Sequence, residues 1–314
     1  MKNFGNILTR FLIMKHAVSI SIGSSKRNKA VEVELLGEKV SIERIGTDGD
    51  MEKAAQLYKE LDGTVDAFGV GGADLGMLVD NKWYTFYSVQ SMVRYVKKTP
   101  VVDGTGLKNT LENRIAPFID AKIGEYVNQR ARKAFIVGGV DRWGMATSFV
   151  GAKYDVIFGD LMFILEVPVA IRTLKTLKFL AAVLAPVVAR LPFEWLYPTG
   201  EKQDKRIPKY EKYYEFGTVI AGDCHYIKRH MPDRLPGKVI ATNTTTTDDV
   251  EFFRQVGIKY LITSTPALEG RSFGTNMMEA ALIAISGKGR KLSLDELSQL
   301  LDELGMEPQL QELN

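Results

Sequence analysis

Cysteine is almost absent from this chain. Cys224 is the single one in 314 residues, which excludes an internal disulfide and a cysteine-built zinc site and makes a reducing cytoplasm the expected compartment. Histidine is scarce as well, with three, and neither histidines nor acids fall at metal-ligand spacings, so no metal is expected. Long hydrophobic runs are missing. The longest apolar stretch, 179–191, contains Pro186 and Arg190 and is shorter than the ~20 residues that cross a bilayer, so stable membrane insertion is not expected. The apolar patch 11–14 falls short of a secretory core of roughly 7–15 residues. An excess of one charge is also lacking. The net charge of +3 implies no basic face for nucleic acid.

What remains is the composition of an ordinary globular protein, 45% hydrophobic and 25% charged, in a chain long enough for two domains of roughly 100–200 residues. The pattern of elements predicts an N-terminal α/β substrate domain followed by a Rossmann-like, doubly wound parallel sheet. The expected divisions are an extension at 1–14, the substrate domain at 15–120, a linker at 121–133, a nucleotide-binding domain at 134–288, and a C-terminal helix with a frayed tail at 289–314.

Within the first part, 16–22 reads as a strand ending at Gly23-Ser24-Ser25-Lys26-Arg27. Two hydroxyls, backbone N–H groups and two cations there suit an anion, so Ser24 and Ser25 are substrate-binding candidates, with a solvated basic loop as the alternative. A hairpin at 30–45 and a helix after Asp50 follow, the acid capping the helix. The buried strand 65–70 runs into Gly71-Gly72-Ala73-Asp74, which makes Asp74 a candidate substrate contact or a simple turn residue. Asp103 to Thr110 holds the densest polar cluster of this half. It reads as a glycine-loosened turn before a helix at 111–120, with Lys108 and Asp103 as a proton-relaying pair and Asn109 and Thr110 as neutral hydrogen bonders, or as a turn with a helix cap.

The second part centres on 134–160, read as strand, glycine turn, helix and second strand. Gly138, Gly139 and Gly144 fall as G-G-x-x-x-x-G rather than G-x-G-x-x-G, with Asp141 and Arg142 in the turn. Asp160 stands about 20 residues on, where an acid receives ribose hydroxyls. Strand ends at Asp223, Thr242 and Asn243 are expected at the same edge, and His225 is a candidate general base. The apolar region 161–191, broken by its prolines, is a candidate homo-oligomer surface. The charged loop 192–214 is a candidate lid carrying Lys202, Lys205 and Arg206. Arg271 and Asn276, between a strand end and a helix start, are candidates for substrate recognition.

With the elements in order, the chain resembles the shikimate/quinate dehydrogenases, and more closely bacterial proteins described as quinate 5-dehydrogenase-like. The shared feature is the order of parts over about 15–288: a substrate domain, a nucleotide domain and a closing glycine-bearing segment before a final helix. Gly106-Leu107-Lys108-Asn109-Thr110-Leu111 looks like their G-x-N-T-D turn, with Leu111 where the acid belongs. Their N-V-T-x-P-x-K motif is missing, and their closing G-x-x-M-L-x-x-Q is echoed only by Gly270 and Gly274 to Met278. The resemblance implies an oxidoreductase acting on a small hydroxy acid or cyclic polyol, with Lys108 and Asp103 polarising the substrate hydroxyl. It implies NAD as cofactor, with NADP the alternative, since Asp160 would repel a 2′-phosphate. Two other classes stay open: a non-redox transferase or lyase using the Ser24–Arg27 and Arg271 anion sites, and a non-catalytic nucleotide-binding or assembly protein.

Overall fold

Two parallel-rich sheets, each covered by helices on both faces, make up the α/β fold seen in the computed structural model. It describes residues 14–197, 206–265, 267–268, 271–272 and 274–314, with nothing said of the side chains at 267, 268, 271 and 272. Lys202, Lys205 and the side chain of Arg271 therefore lie outside the described residues, as does the expected extension before Met14.

The first sheet is built from β1 (Lys15–Ser21), β2 (Lys29–Leu35), β3 (Glu38–Gly46), β4 (Ala67–Gly71) and β7 (Val101–Val102). Their order is β2-β3-β1-β4-β7, and only β2 runs antiparallel. A separate hairpin, β5 (Gly76–Val79) and β6 (Lys82–Thr85), follows β4. Alternation along the strands divides the side chains between two cores. Val18, Ile20, Phe68 and Val70 pack with Ala54 and Tyr58 of the Met51–Leu61 helix. That helix starts as its sequence predicts, the Asp50 carboxylate accepting the Lys53 N–H at 2.8 Å. Ala17, Val40, Ile42 and Ala67 pack on the opposite face against the helices Thr275–Ser286 and Leu294–Glu303.

The second sheet holds β8 (Lys133–Ile136), β9 (Asp155–Phe158), β10 (Val219–Ala221), β11 (Val239–Thr242), β12 (Tyr260–Thr263) and β15 (Gln309–Glu312). Its order is β15-β12-β11-β10-β8-β9, parallel except for β15. The order reverses between β8 and β10, which makes this the second of the two common doubly wound arrangements, with its crevice at the carboxyl ends of those strands. Small residues (Ala134, Ala221, Ala241) face the helices Ile115–Asn128, Trp143–Gly151 and Leu174–Val188. Larger ones (Phe135, Ile220, Ile240, Leu261) face Tyr214, Ile227 and Phe253. The short pair β13 (Ala267–Leu268) and β14 (Arg271–Ser272) follows β12.

Several sequence expectations are corrected. Residues 105–112 form a helix rather than a turn, and the expected linker at 121–133 is mostly the second half of the Ile115–Asn128 helix. Pro186 lies inside the Leu174–Val188 helix instead of ending it. The Thr275–Ser286 helix, assigned by sequence to the second domain, returns to cover the first sheet. The tail expected to fray adds β15 to β12 in antiparallel register. No helix among the described residues is long and apolar enough to cross a membrane.

Candidate functional site

The carboxyl ends of the two sheets meet at a cluster of charged side chains, each placed by a turn just beyond a strand or by the first helix after one. Asp74 follows β4, Lys108 and Glu112 lie on the Thr105–Glu112 helix after β7, Asp141 and Arg142 follow β8, and Asp223 follows β10. The Lys108 ammonium stands 3.5 Å from Asp141 Oδ1. Burial depresses the Lys108 pKa, but Asp141 and Asp74 outweigh it and hold the lysine above its ordinary value. Asp74 is raised as well, but by burial rather than against it. Burial raises its pKa to about 6, Lys108 opposing and Asp103 reinforcing the shift. The Tyr197 hydroxyl accepts the Asp74 N–H at 2.7 Å and lies 3.3 Å from Asp74 Oδ2. Tyr197 belongs to the segment read as a lid, so the described part of that segment does touch the site.

Arg142 is the electrostatic centre of the second sheet's edge. Its Nη1 donates to Glu112 Oε1 at 2.7 Å and its Nη2 to Asp223 Oδ2 at 2.5 Å, while Nε lies 3.1 Å from Asp141 Oδ2. Burial alone would lower the guanidinium pKa; Glu112, Asp141 and Asp223 raise it instead. Asn243 extends the network by donating to Asp223 Oδ2 at 3.1 Å. Its carbonyl oxygen accepts from the Thr242 hydroxyl at 3.0 Å and the Cys224 N–H at 3.4 Å. Glu112 is fully buried, its Oε2 without a partner among the described residues, and burial raises its pKa against the pull of Arg142 and Lys108.

Several candidates prove to be braces. Asp103 does not pair with Lys108: its Oδ2 accepts the Leu75 N–H at 2.6 Å and its Oδ1 the Thr105 N–H at 2.9 Å. Both oxygens hold backbone, which leaves Asp141 and Asp74 as the lysine's acids. Asn109 bridges helices, donating to Thr105 O and accepting from Gly144 N–H at 2.9 Å. Thr110 bonds back to Gly106 O at 2.9 Å. Gly144 serves the same crossing, because a Cβ there would lie 2.4 Å from Asn109 O. Thr242 is wholly buried. His225 is exposed, and its ring makes no hydrogen bond to the described residues; only its N–H is held, by Asp223. Burial pushes the Cys224 thiol up to about 12, which argues against a nucleophile.

Ser24 and Ser25 act on their own loop, Ser24 Oγ accepting from Lys26 N–H and Ser25 N–H donating to Asp48. Asn276 donates to Ser19 Oγ at 2.6 Å. Glu112 and Tyr197 escaped the sequence reading because neither stands at a glycine turn or a strand end.

The glycine turn after β8 combines openness with occupancy. A Cβ on Gly138 would meet nothing within 4 Å, whereas one on Gly139 would collide with Phe158 and Leu177. Asp160 accepts the Gly139 N–H at 2.9 Å and the Val140 N–H at 2.8 Å. Burial raises its pKa to about 6 in spite of those two bonds. The expected role of Asp160 as a free ribose ligand is thus corrected: it first ties down the turn. A carboxylate offers about four acceptor positions, and these two N–H groups use two of them. The N–H groups of Gly139 and Val140 are themselves already engaged. Among the described residues no group of three or more His, Cys, Asp or Glu is arranged to hold a metal.

No curated protein matches the chain. Among solved structures it is similar to the NAD-dependent malic enzyme of Thermotoga maritima, at 12% identity over 91% of this chain and 75% of that one, with a TM-score of 0.40. It is similar to the Entamoeba histolytica malic enzyme at 11% identity, 93% and 70% coverage and a TM-score of 0.33. A third likeness is to a sugar ABC transport substrate-binding protein from Bordetella parapertussis, at 10% identity, 87% and 80% coverage and a TM-score of 0.32. Residues 16–103 match the domain of unknown function DUF8753. Residues 106–313, most of the chain, match the domain of unknown function DUF8754, and the chain belongs to that family.

Proposed function

We propose that the protein is an oxidoreductase that moves a proton and a hydride on a small hydroxy acid or cyclic polyol, with NAD as the hydride partner and NADP as the alternative. The observation that carries the reading is the Lys108–Asp141–Asp74 cluster where the carboxyl edges of two parallel sheets meet. Asp74, titrating at about 6, is suited to take a proton from a substrate hydroxyl near neutral pH. Lys108 stays cationic and donates a hydrogen bond to the same oxygen, stabilising negative charge as it develops. Tyr197 orients Asp74. Gly138 leaves room beside the crevice for a nucleotide, and ribose hydroxyls would donate to Asp160 acceptor positions other than the two that Gly139 and Val140 use. A bound nicotinamide would supply hydride chemistry. The order of parts shared with shikimate/quinate dehydrogenases supports the same reading.

A second reading, a non-redox enzyme on an acidic metabolite, is favoured by the engaged N–H groups of Gly139 and Val140, which are denied to a pyrophosphate. Thermal unfolding with NAD, NADP or neither decides between them. NAD at a hundred times its Kd stabilises the protein by about 2.7 kcal/mol if the first reading holds. No response to either nucleotide rejects it. A homo-oligomer belongs to the same proposal, supported by the exposed stripe Phe179, Val183 and Val187 along the Leu174–Val188 helix, and sedimentation analysis measures it.

A further inference from the structure

Arg44 is a buried charge with no counter-charge among the described residues. In β3 the alternation Val40, Ile42, Arg44, Gly46 places all four on the buried face, and Arg44 is 9% exposed. Its Nη1 donates to Ser24 O and its Nη2 to Ser21 Oγ, each at 3.0 Å. The rest of its five-donor fork has no partner among the described residues, and it forms no ion pair with them. Burial lowers its pKa, and nearby Arg27 lowers it further. A guanidinium in such surroundings is costly unless an anion joins it.

The groups around it are donors too. Ser21, 3% exposed, accepts from Gly23 N–H at 3.1 Å and from Arg44, and its own hydroxyl hydrogen finds no acceptor among the described residues. Gly71, the last residue of the neighbouring β4, and Gly72 just beyond it pack closely against this serine, so no side chain from β4 covers its hydroxyl. A Cβ on Gly71 would lie 2.9 Å from Ser21 Oγ, and one on Gly72 would lie 3.5 Å away. On the same face of β1, Ser19 holds Asn276 at the start of the Thr275–Ser286 helix. That helix opens with no side-chain cap and no acid in its first turn, so its positive end adds to the local potential about 7 Å along the strand.

We propose that Arg44 and Ser21 form a binding site for an oxyanion, a carboxylate or a phosphate, at the carboxyl edge of the first sheet, with Arg27 as its outer cation. Asp74 stands three residues beyond Gly71, so a small ligand anchored here by its acid group has its other end toward Asp74 and Lys108. The site makes the ligand acidic whether or not a nicotinamide nucleotide takes part.

The test is the melting temperature of the full chain at low salt, titrated with sodium phosphate or sodium malonate against sodium chloride of equal ionic strength. Phosphate or malonate at a hundred times its Kd raises the wild-type Tm by ~5 °C, and chloride does not. A response to phosphate alone marks a phosphorylated ligand, and one to malonate alone a carboxylate. Arg44→Met loses the shift yet melts no lower than wild type without anion, because an apolar side chain replaces an unpaired charge. Arg44→Lys regains part of the shift. Ser21→Ala keeps the charge and weakens anion binding several-fold, which covers the case of a misfolded Arg44→Met. No shift beyond chloride with either anion, or a wild-type shift in Arg44→Met or Ser21→Ala, overturns the proposal. The NAD titration reads the other sheet, so either idea fails without the other.

Discussion

Arg142 and Arg44 occupy comparable places at the carboxyl edges of the two sheets and are nearly equally buried, at 8% and 9% exposure, but their surroundings are opposite. Arg142 is surrounded by Glu112, Asp141 and Asp223, and its charge is more than neutralised within the chain. Among the described residues Arg44 has only a carbonyl and a hydroxyl, and a second cation nearby. The first arrangement locks elements together, since Glu112, Asp141 and Asp223 come from three different parts of the chain. The second leaves a charge for something else to complete. Burial of an arginine therefore carries no meaning by itself; the sign of what surrounds it separates a fastener from a receptor.

The comparison breaks most readily at Arg142. Arg142→Met strands three carboxylates, one fully buried, and should lower the unfolding free energy by about 3–5 kcal/mol, read from urea denaturation. The same change at Arg44 in anion-free buffer should stay within ~1 kcal/mol of wild type. Equal losses at the two positions would erase the distinction.

Acid titration gives the next largest effect. The folded chain keeps the Asp160 proton up to about 6, whereas an unfolded aspartate releases it near ~3.9. Its contribution is complete below the unfolded value and is lost as pH rises through about 6, a change of roughly 3 kcal/mol. Asp74, at about 6, and Glu279, buried and raised to about 7, act in the same direction. Urea midpoints from pH 4 to 7.5 should therefore fall more steeply for wild type than for Asp160→Asn, which has no proton to lose there. Parallel slopes would show that Asp160 does not titrate in this window.

Tyr197→Phe should have the smallest effect, about 1–2 kcal/mol, because it removes the acceptor of the Asp74 N–H. If Asp74 is the general base, the variant should also shift the pH dependence of turnover. A stability loss with an unchanged profile would make Tyr197 a fastener, like Arg142.

Much of the frame was legible in local patterns. Short apolar runs located β4, β8, β10 and β11, since a strand buried on both faces must be apolar throughout. Asp50 marked a helix start, because a side-chain acceptor at that point satisfies an otherwise free N–H. The Asp103–Thr110 stretch misled, its glycines suggesting a turn where Asp103 and Glu279 cap a helix from outside it. Glu279 reaches Leu107 across 172 positions, a separation at which no local pattern signals contact. Arg44 could have been found, since the Val40, Ile42, Arg44 alternation puts a charge in an inward position.

The sequence alone determined the two α/β sheets, the glycine turn after β8 and the clustering of polar residues at strand ends, because these follow from periodicity and backbone preference within a few residues. Tertiary structure decided which acid each cation meets. Lys108 met Asp141 and Asp74 instead of Asp103, Asp160 closed over the turn it was expected to leave open, and Arg44 met none among the described residues. Electrostatic pairing depends on distances of a few ångströms between segments far apart in sequence, and only the packed sheets and their returning helices set those distances.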